Sequence, residues 1–89
     1  MEIKSAIGEV IKEIRLEQGL SQEQLGASQT YVSNVESGKK MISLDKLEEF
    51  AASLEVHPLI IIVRAYAKTS NDVLAQDLLM AITKSIKHD

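Results

Sequence analysis

Residues 28–40 read Ser-Gln-Thr-Tyr-Val-Ser-Asn-Val-Glu-Ser-Gly-Lys-Lys, and the two ends of this stretch leave room for one short helix and little else. Ser28 is a helix N-cap residue and Gly38 a left-handed stop, so about two and a half turns of helix lie between them. At about 100° per residue, Tyr31, Val32 and Val35 gather on one side of that helix. Gln29, Thr30, Ser33, Asn34 and Ser37 gather on the other. A helix face that only meets water usually carries Lys and Glu, whereas this one carries amides and hydroxyls. Such groups suit the reading of hydrogen-bond patterns: Gln and Asn can hold adenine through two bonds, and Ser or Thr can bond to any base edge. Lys39 and Lys40 follow, where phosphates would run.

The flanking segments are helical by the same arithmetic. Ile3, Ile7, Val10, Ile11 and Ile14 recur at three- and four-residue steps and predict a first helix over residues 5–18, stopped by Gly19 with Leu20 folding back on it. Gly8, inside that helix, costs about 1 kcal/mol relative to alanine and marks a close approach by another helix. Ser21 and Gln24 form a capping box, and Gly26 ends the segment they open after little more than one turn. Ser43 caps the next helix, with Asp45 in its first turn, Leu44, Leu47, Ala51 and Leu54 as its buried stripe and Phe50 beside it. Pro58 breaks the chain and opens a further helix. Residues 59–63 are apolar and mostly β-branched, which also fits a strand, but Ala65, Tyr66 and Ala67 extend the segment and there is no second strand to pair with. Thr69, Ser70 and Asn71 make a polar turn before a last helix over residues 72–87.

The run Leu20-Ser-Gln-Glu-Gln-Leu25, then Tyr31-Val-Ser-Asn-Val-Glu-Ser-Gly38, then a Leu-x-x-Leu helix, resembles the helix-turn-helix of Cro and phage repressor proteins over residues 7–58. The resemblance implies an all-α, five-helix repressor-like core, to which the predicted helix over residues 72–87 adds one C-terminal helix. It implies a DNA-binding domain, placed over residues 1–68; the segment 69–89 lies beyond the family core, and its apolar face makes it an expected dimerisation element. Base reading falls on Gln29, Thr30, Ser33 and Asn34, and phosphate binding on Gln22, Ser28, Lys39 and Lys40. Arg15 and Glu36 form a clamp between the first helix and the reading helix. Between Leu25 and Val32 the chain is about one helical turn shorter than the family pattern, so a vestigial second helix is expected.

With 89 residues, 45% of them apolar and 3% aromatic, the core is built from Ile, Leu, Val and Ala. So small a domain gains from a partner chain. The apolar face of Leu74, Leu78, Leu79, Ile82 and Ile86, together with Leu59 and Ile62, is expected to pack against its copy in a homodimer. Cysteine is absent, which removes disulfides, thiolate zinc sites and thiol nucleophiles and fits a reducing, cytoplasmic setting. His57 and His88 lie far apart, without a patterned nucleophile or carboxylate pair, so neither an enzyme nor a metal or cofactor site is expected. No apolar run approaches membrane-spanning length, and no ligand domain for a small molecule is visible. The net charge of −3 disfavours a general nucleic-acid binder, but the acids Glu9, Glu13, Glu17, Asp45, Glu48 and Glu49 lie outside residues 28–40. Two functions follow from these residues. The first is a dimeric, sequence-specific regulator of transcription, of repressor type, on double-stranded DNA. The rival is a protein-interaction module, an antitoxin or regulatory adaptor, in which the shortened second helix has weakened DNA docking.

Overall fold

Apolar residues spaced by three and four share one face only in a helix. In the computed structural model, which describes residues 1–69 together with Asp77, Met80, Ala81, Thr83 and Lys84, the first such segment is α1 (Ile3–Glu17). It starts behind Glu2 rather than Ser5, and it buries Ala6, Ile7, Val10, Ile11 and Ile14. Gly19 takes a φ of 70°. The Gly19 N–H then donates to the Leu16 carbonyl and the Leu20 N–H to the Arg15 carbonyl, the expected left-handed stop.

After α1 come a 3₁₀ turn (Gln22–Leu25), α2 (Gln29–Glu36), α3 (Leu44–Ser53) and α4 (Pro58–Thr69). The fold is all-α, with four α-helices among the described residues and a 3₁₀ turn where the pattern called for a second helix. The reason is local. The Ser21 N–H donates to the Gln24 side-chain oxygen at 2.7 Å, closing the capping box. Gly26, at φ 83°, then turns the chain away before an i→i+4 ladder can begin. Of the expected C-terminal helix over residues 72–87, Asp77, Met80, Ala81, Thr83 and Lys84 are helical, while its apolar residues Leu74, Leu78, Leu79, Ile82 and Ile86 lie outside the described residues.

The core gathers around Phe50, Ile11, Leu25, Leu54 and Ile61, all fully buried. Here α3 departs from the sequence reading. Its buried stripe is Leu47, Phe50, Ala51 and Leu54, while Leu44 is 75% exposed. Leu44 is the first residue of the helix and overhangs the core, and the larger Phe50 takes the central place. Met41 is exposed and Ile42 buried in the loop before it. The chain then bends by 106° between α3 and α4. Residues 59–63 are helical, and the His57 imidazole caps α4, its Nδ1 accepting from the Leu59 N–H at 3.0 Å. No single helix among the described residues is long and apolar enough to cross a membrane.

Two features fix the helices against α1. On one side α4 is tied by charge: Lys68 Nζ lies 2.9 Å from Glu9 and 2.8 Å from Glu13, and Arg64 Nη2 lies 3.4 Å from Glu13 and 3.7 Å from Glu17. The hydrogen bonds to Glu13 and Glu9 raise the Lys68 pKa, against the opposing effect of its desolvation. On the other side α2 crosses α1 at Gly8, where a Cβ would overlap the Val35 carbonyl oxygen. The close approach read from Gly8 is therefore made by α2. A Gly8→Ala variant gains helix propensity worth about 1 kcal/mol, yet the clash is with backbone and has no rotamer to relieve it. Overpacking of that kind costs about 1 to 3 kcal/mol, so the variant should unfold at lower denaturant concentration than the parent with an unchanged m-value. A stabilised Gly8→Ala protein would show that the two backbones separate freely.

Candidate nucleic-acid interface

The interface is built on α2, whose start is set by Ser28: its Oγ accepts from the Tyr31 N–H at 3.2 Å. Its end is set by Gly38, at φ 79°, which lets the Gly38 N–H donate to the Val35 carbonyl and the Lys39 N–H to the Asn34 carbonyl. Both limits match those read from the sequence. Val32 and Val35 are buried beneath the helix. Gln29, Thr30 and Ser33 are exposed and Asn34 is half-buried, and the four together line one shallow hollow. Among the described residues none of these four side chains is taken up by an internal hydrogen bond; the Ser37 hydroxyl donates instead to the Asn34 main-chain carbonyl. The face thus offers free donors and acceptors and no charge.

Ser28, Lys39 and Lys40 are exposed at the two ends of this face. Gln22 is placed differently. Its Nε2 donates to Glu36 Oε1 at 3.1 Å, so part of the amide that was assigned to phosphate is turned inward. Glu36 is held more tightly still by Arg15, through Nε to Oε2 at 2.7 Å and Nη2 to Oε1 at 2.9 Å. Only 8% of the Arg15 side chain and 3% of the Glu36 side chain remain exposed. The remaining guanidinium nitrogen, Nη1, donates to the Leu20 carbonyl at 2.8 Å. One bidentate pair therefore joins α1, the turn after it, the 3₁₀ turn and α2. The hydrogen bond to Glu36 raises the Arg15 pKa, while burial acts against it.

The sequence also missed a contact. Tyr31 was placed on the buried side of the helix; it is half-buried, edge-on to Phe50 at 6.0 Å between ring centroids, and Lys40 Nζ lies 5.5 Å above its ring. A cation and an aromatic nine positions apart across a glycine turn carry no periodic signal. Away from α2, an apolar groove between α3 and α4 is lined by Leu44, Leu47, Pro58, Leu59 and Ile62, with Asp45, Glu48 and His57 at its edge. Leu59 and Ile62 are half-buried there, and the exposed Leu44 joins them.

This arrangement has known counterparts. Residues 11–61 match the model of the helix-turn-helix family. The chain belongs to that family. It is of the XRE type, the group of the Cro and phage repressors, whose members are DNA-binding regulators. Among solved helix-turn-helix proteins, the restriction-modification controller protein C.AhdI from Aeromonas hydrophila is 33% identical, with a TM-score of 0.62 over 64% of this chain and 92% of that one. A point variant of the restriction-modification controller protein C.Esp1396I is 29% identical, with a TM-score of 0.60 over 100% of this chain and 98% of that one. The clp gene regulator ClgR from Corynebacterium glutamicum shares the fold, with a TM-score of 0.74 at 20% identity over 96% of this chain and 95% of that one. No curated protein shows significant similarity to the sequence.

In this helix-turn-helix unit the pose of α2 depends on the Arg15–Glu36 pair, and removal of one partner leaves the other charge buried and unpaired. Glu36→Ala or Arg15→Met alone should each cost about 3 to 5 kcal/mol in denaturant unfolding. The double variant Arg15→Met with Glu36→Leu should recover a large part of that loss, because no buried charge is left without a partner. Single variants that cost no more than a surface pair, about 1 kcal/mol, would place the pair in contact with water.

Proposed function

We propose that the protein is a sequence-specific regulator of transcription, of repressor type, which binds double-stranded DNA as a dimer on a two-fold symmetric site. The observation that carries this reading is the uncharged, unengaged face of Gln29, Thr30, Ser33 and Asn34, exposed on α2 with Lys39 and Lys40 at its end. In the major groove Gln29 and Asn34 would contact base edges, while Lys39, Lys40, Ser28 and the second N–H of Gln22 would contact phosphates. Two copies would read half-sites about 34 to 36 Å apart. The names of the controller proteins and of ClgR, all regulators, support the same reading.

The dimer is assigned to Leu59 and Ile62 in the α3–α4 groove, with Leu44 beside them, and to the apolar residues 74–86 of the segment beyond Lys68. An isologous contact there would also set the spacing of the two reading helices. The protein-interaction reading draws on one observation, the 3₁₀ turn in place of a second helix. That change leaves the α2 face open, which favours DNA.

Selection from a pool of random duplexes separates the two. A sharp palindromic consensus is expected; no enrichment would favour an interaction module. On the selected site, Gln29→Ala or Asn34→Ala should cost about 1 to 3 kcal/mol and leave binding to random DNA nearly unchanged. Lys39→Ala should weaken both and lower the salt slope by about one. Gln29→Ala with intact specificity would remove α2 from the groove.

Sedimentation at micromolar concentration tests the dimer. The full chain should run as a dimer, whereas Leu59→Glu, or truncation after Lys68, should give a monomer with little affinity for the symmetric site. A monomeric full chain would exclude the proposed interface.

A further inference from the structure

Lys40 is held at both ends. Its main-chain N–H, like that of Lys39, donates to the Asn34 carbonyl, which fixes the loop as it leaves α2. Its ammonium lies 5.5 Å from the centroid of the Tyr31 ring. That ring is itself fixed edge-on against Phe50, which is fully buried. Lys39, its neighbour, is also without a carboxylate partner among the described residues but has no ring beneath it, and two other cations are neutralised. Arg15 is spent on Glu36, and Lys46 lies 3.4 Å from Glu49. Lys40 has no carboxylate partner among the described residues, so its charge is aligned without being neutralised.

We infer that Tyr31 is a positioning residue for DNA binding: its ring holds the Lys40 ammonium in place beside the reading face, ready for a backbone phosphate. This rests on the DNA-binding reading above and extends it to a residue that the recognition pattern counts as core. The physical reason is entropic. A free lysine must give up rotamer freedom to meet a phosphate, whereas one already held over a ring gives up less. The ring face attracts the ammonium without accepting its N–H groups as a carboxylate would, so these remain available to phosphate oxygens. Tyr31 acts through Lys40 and makes no contact of its own with DNA.

The inference is tested with a short duplex of random sequence, since a phosphate contact does not depend on the operator. Salt titrations are run on the parent, Lys40→Ala, Tyr31→Leu, Tyr31→Phe and the double variant of Tyr31→Leu with Lys40→Ala, each first checked for helical content and melting. Lys40→Ala should lower the salt slope by about one. Tyr31→Leu should weaken binding about two- to fivefold, the value of an exposed cation–ring contact, and keep the slope. Tyr31→Phe, which retains the ring, should bind like the parent. In the Lys40→Ala background Tyr31→Leu should have no further effect.

A readout in the free protein needs no DNA and survives any loss of affinity. The Lys40 ε-methylene protons should be shifted upfield by the ring current in the parent and in Tyr31→Phe, and should lose that shift when a partly destabilised but folded Tyr31→Leu is examined. An unshifted parent resonance would overturn the inference. So would an equal effect of Tyr31→Leu with and without Lys40, which would put the ring itself on DNA, or a Lys40→Ala variant with the parent's salt slope. If the last occurs while Lys39→Ala still lowers the slope, DNA binding stands and only the role of Tyr31 and Lys40 falls. If the parent shows no salt-dependent binding at all, both fall together.

Discussion

The pose of α2 against the rest of the molecule depends on a buried ion pair. Removing Arg15 and Glu36 from water is costly, and a single pair of parallel hydrogen bonds does not always offset that cost. Here all three guanidinium nitrogens donate, two to Glu36 and the third to the Leu20 carbonyl, with Gln22 adding a donor to the carboxylate. The pair therefore does more than join two helices. It collects the end of α1, the turn and the start of the 3₁₀ segment around one carboxylate on α2, close to where Gly8 lets the two backbones meet.

This arrangement explains how the chain manages with so little second helix. A 3₁₀ turn of four residues, Gln22–Leu25, has almost no stability of its own. Leu25 is fully buried beneath it, and Gln22 is bonded to Glu36 from above, so the turn is held by what it touches and not by its own ladder. In consequence the shortened turn leaves α2 with both its caps and its exposed face intact. The rival reading, in which the shortened segment weakens DNA docking, concerns how α2 is presented and not its own caps, which are intact.

Charge is distributed to the same end. The chain is acidic overall, with a net charge of −3. Yet Glu9 and Glu13 are turned toward Lys68 and Arg64 on α4, and Glu36 is buried with Arg15. What remains beside the face of Gln29, Thr30, Ser33 and Asn34 is Lys39 and Lys40. The field that a phosphate backbone would meet is set by those local charges and not by the total.

The sequence by itself determined the parts that depend on near neighbours. Ser28 and Gly38 bound α2, Gly19 and Gly26 stop the segments before it, and Pro58 starts α4, because caps and left-handed stops are made between residues three to five positions apart. The identity of the exposed face followed at once from the helical period. Tertiary structure decided what depends on residues distant in the chain. It brought Phe50 and not Leu44 into the core, gave Gly8 the Val35 carbonyl as its neighbour, turned Gln22 toward Glu36 and set Lys40 over Tyr31. Periodicity states which side of a helix is apolar; it does not state which residue at the helix end overhangs its neighbours, or where a long side chain comes to rest once two other elements have closed around it.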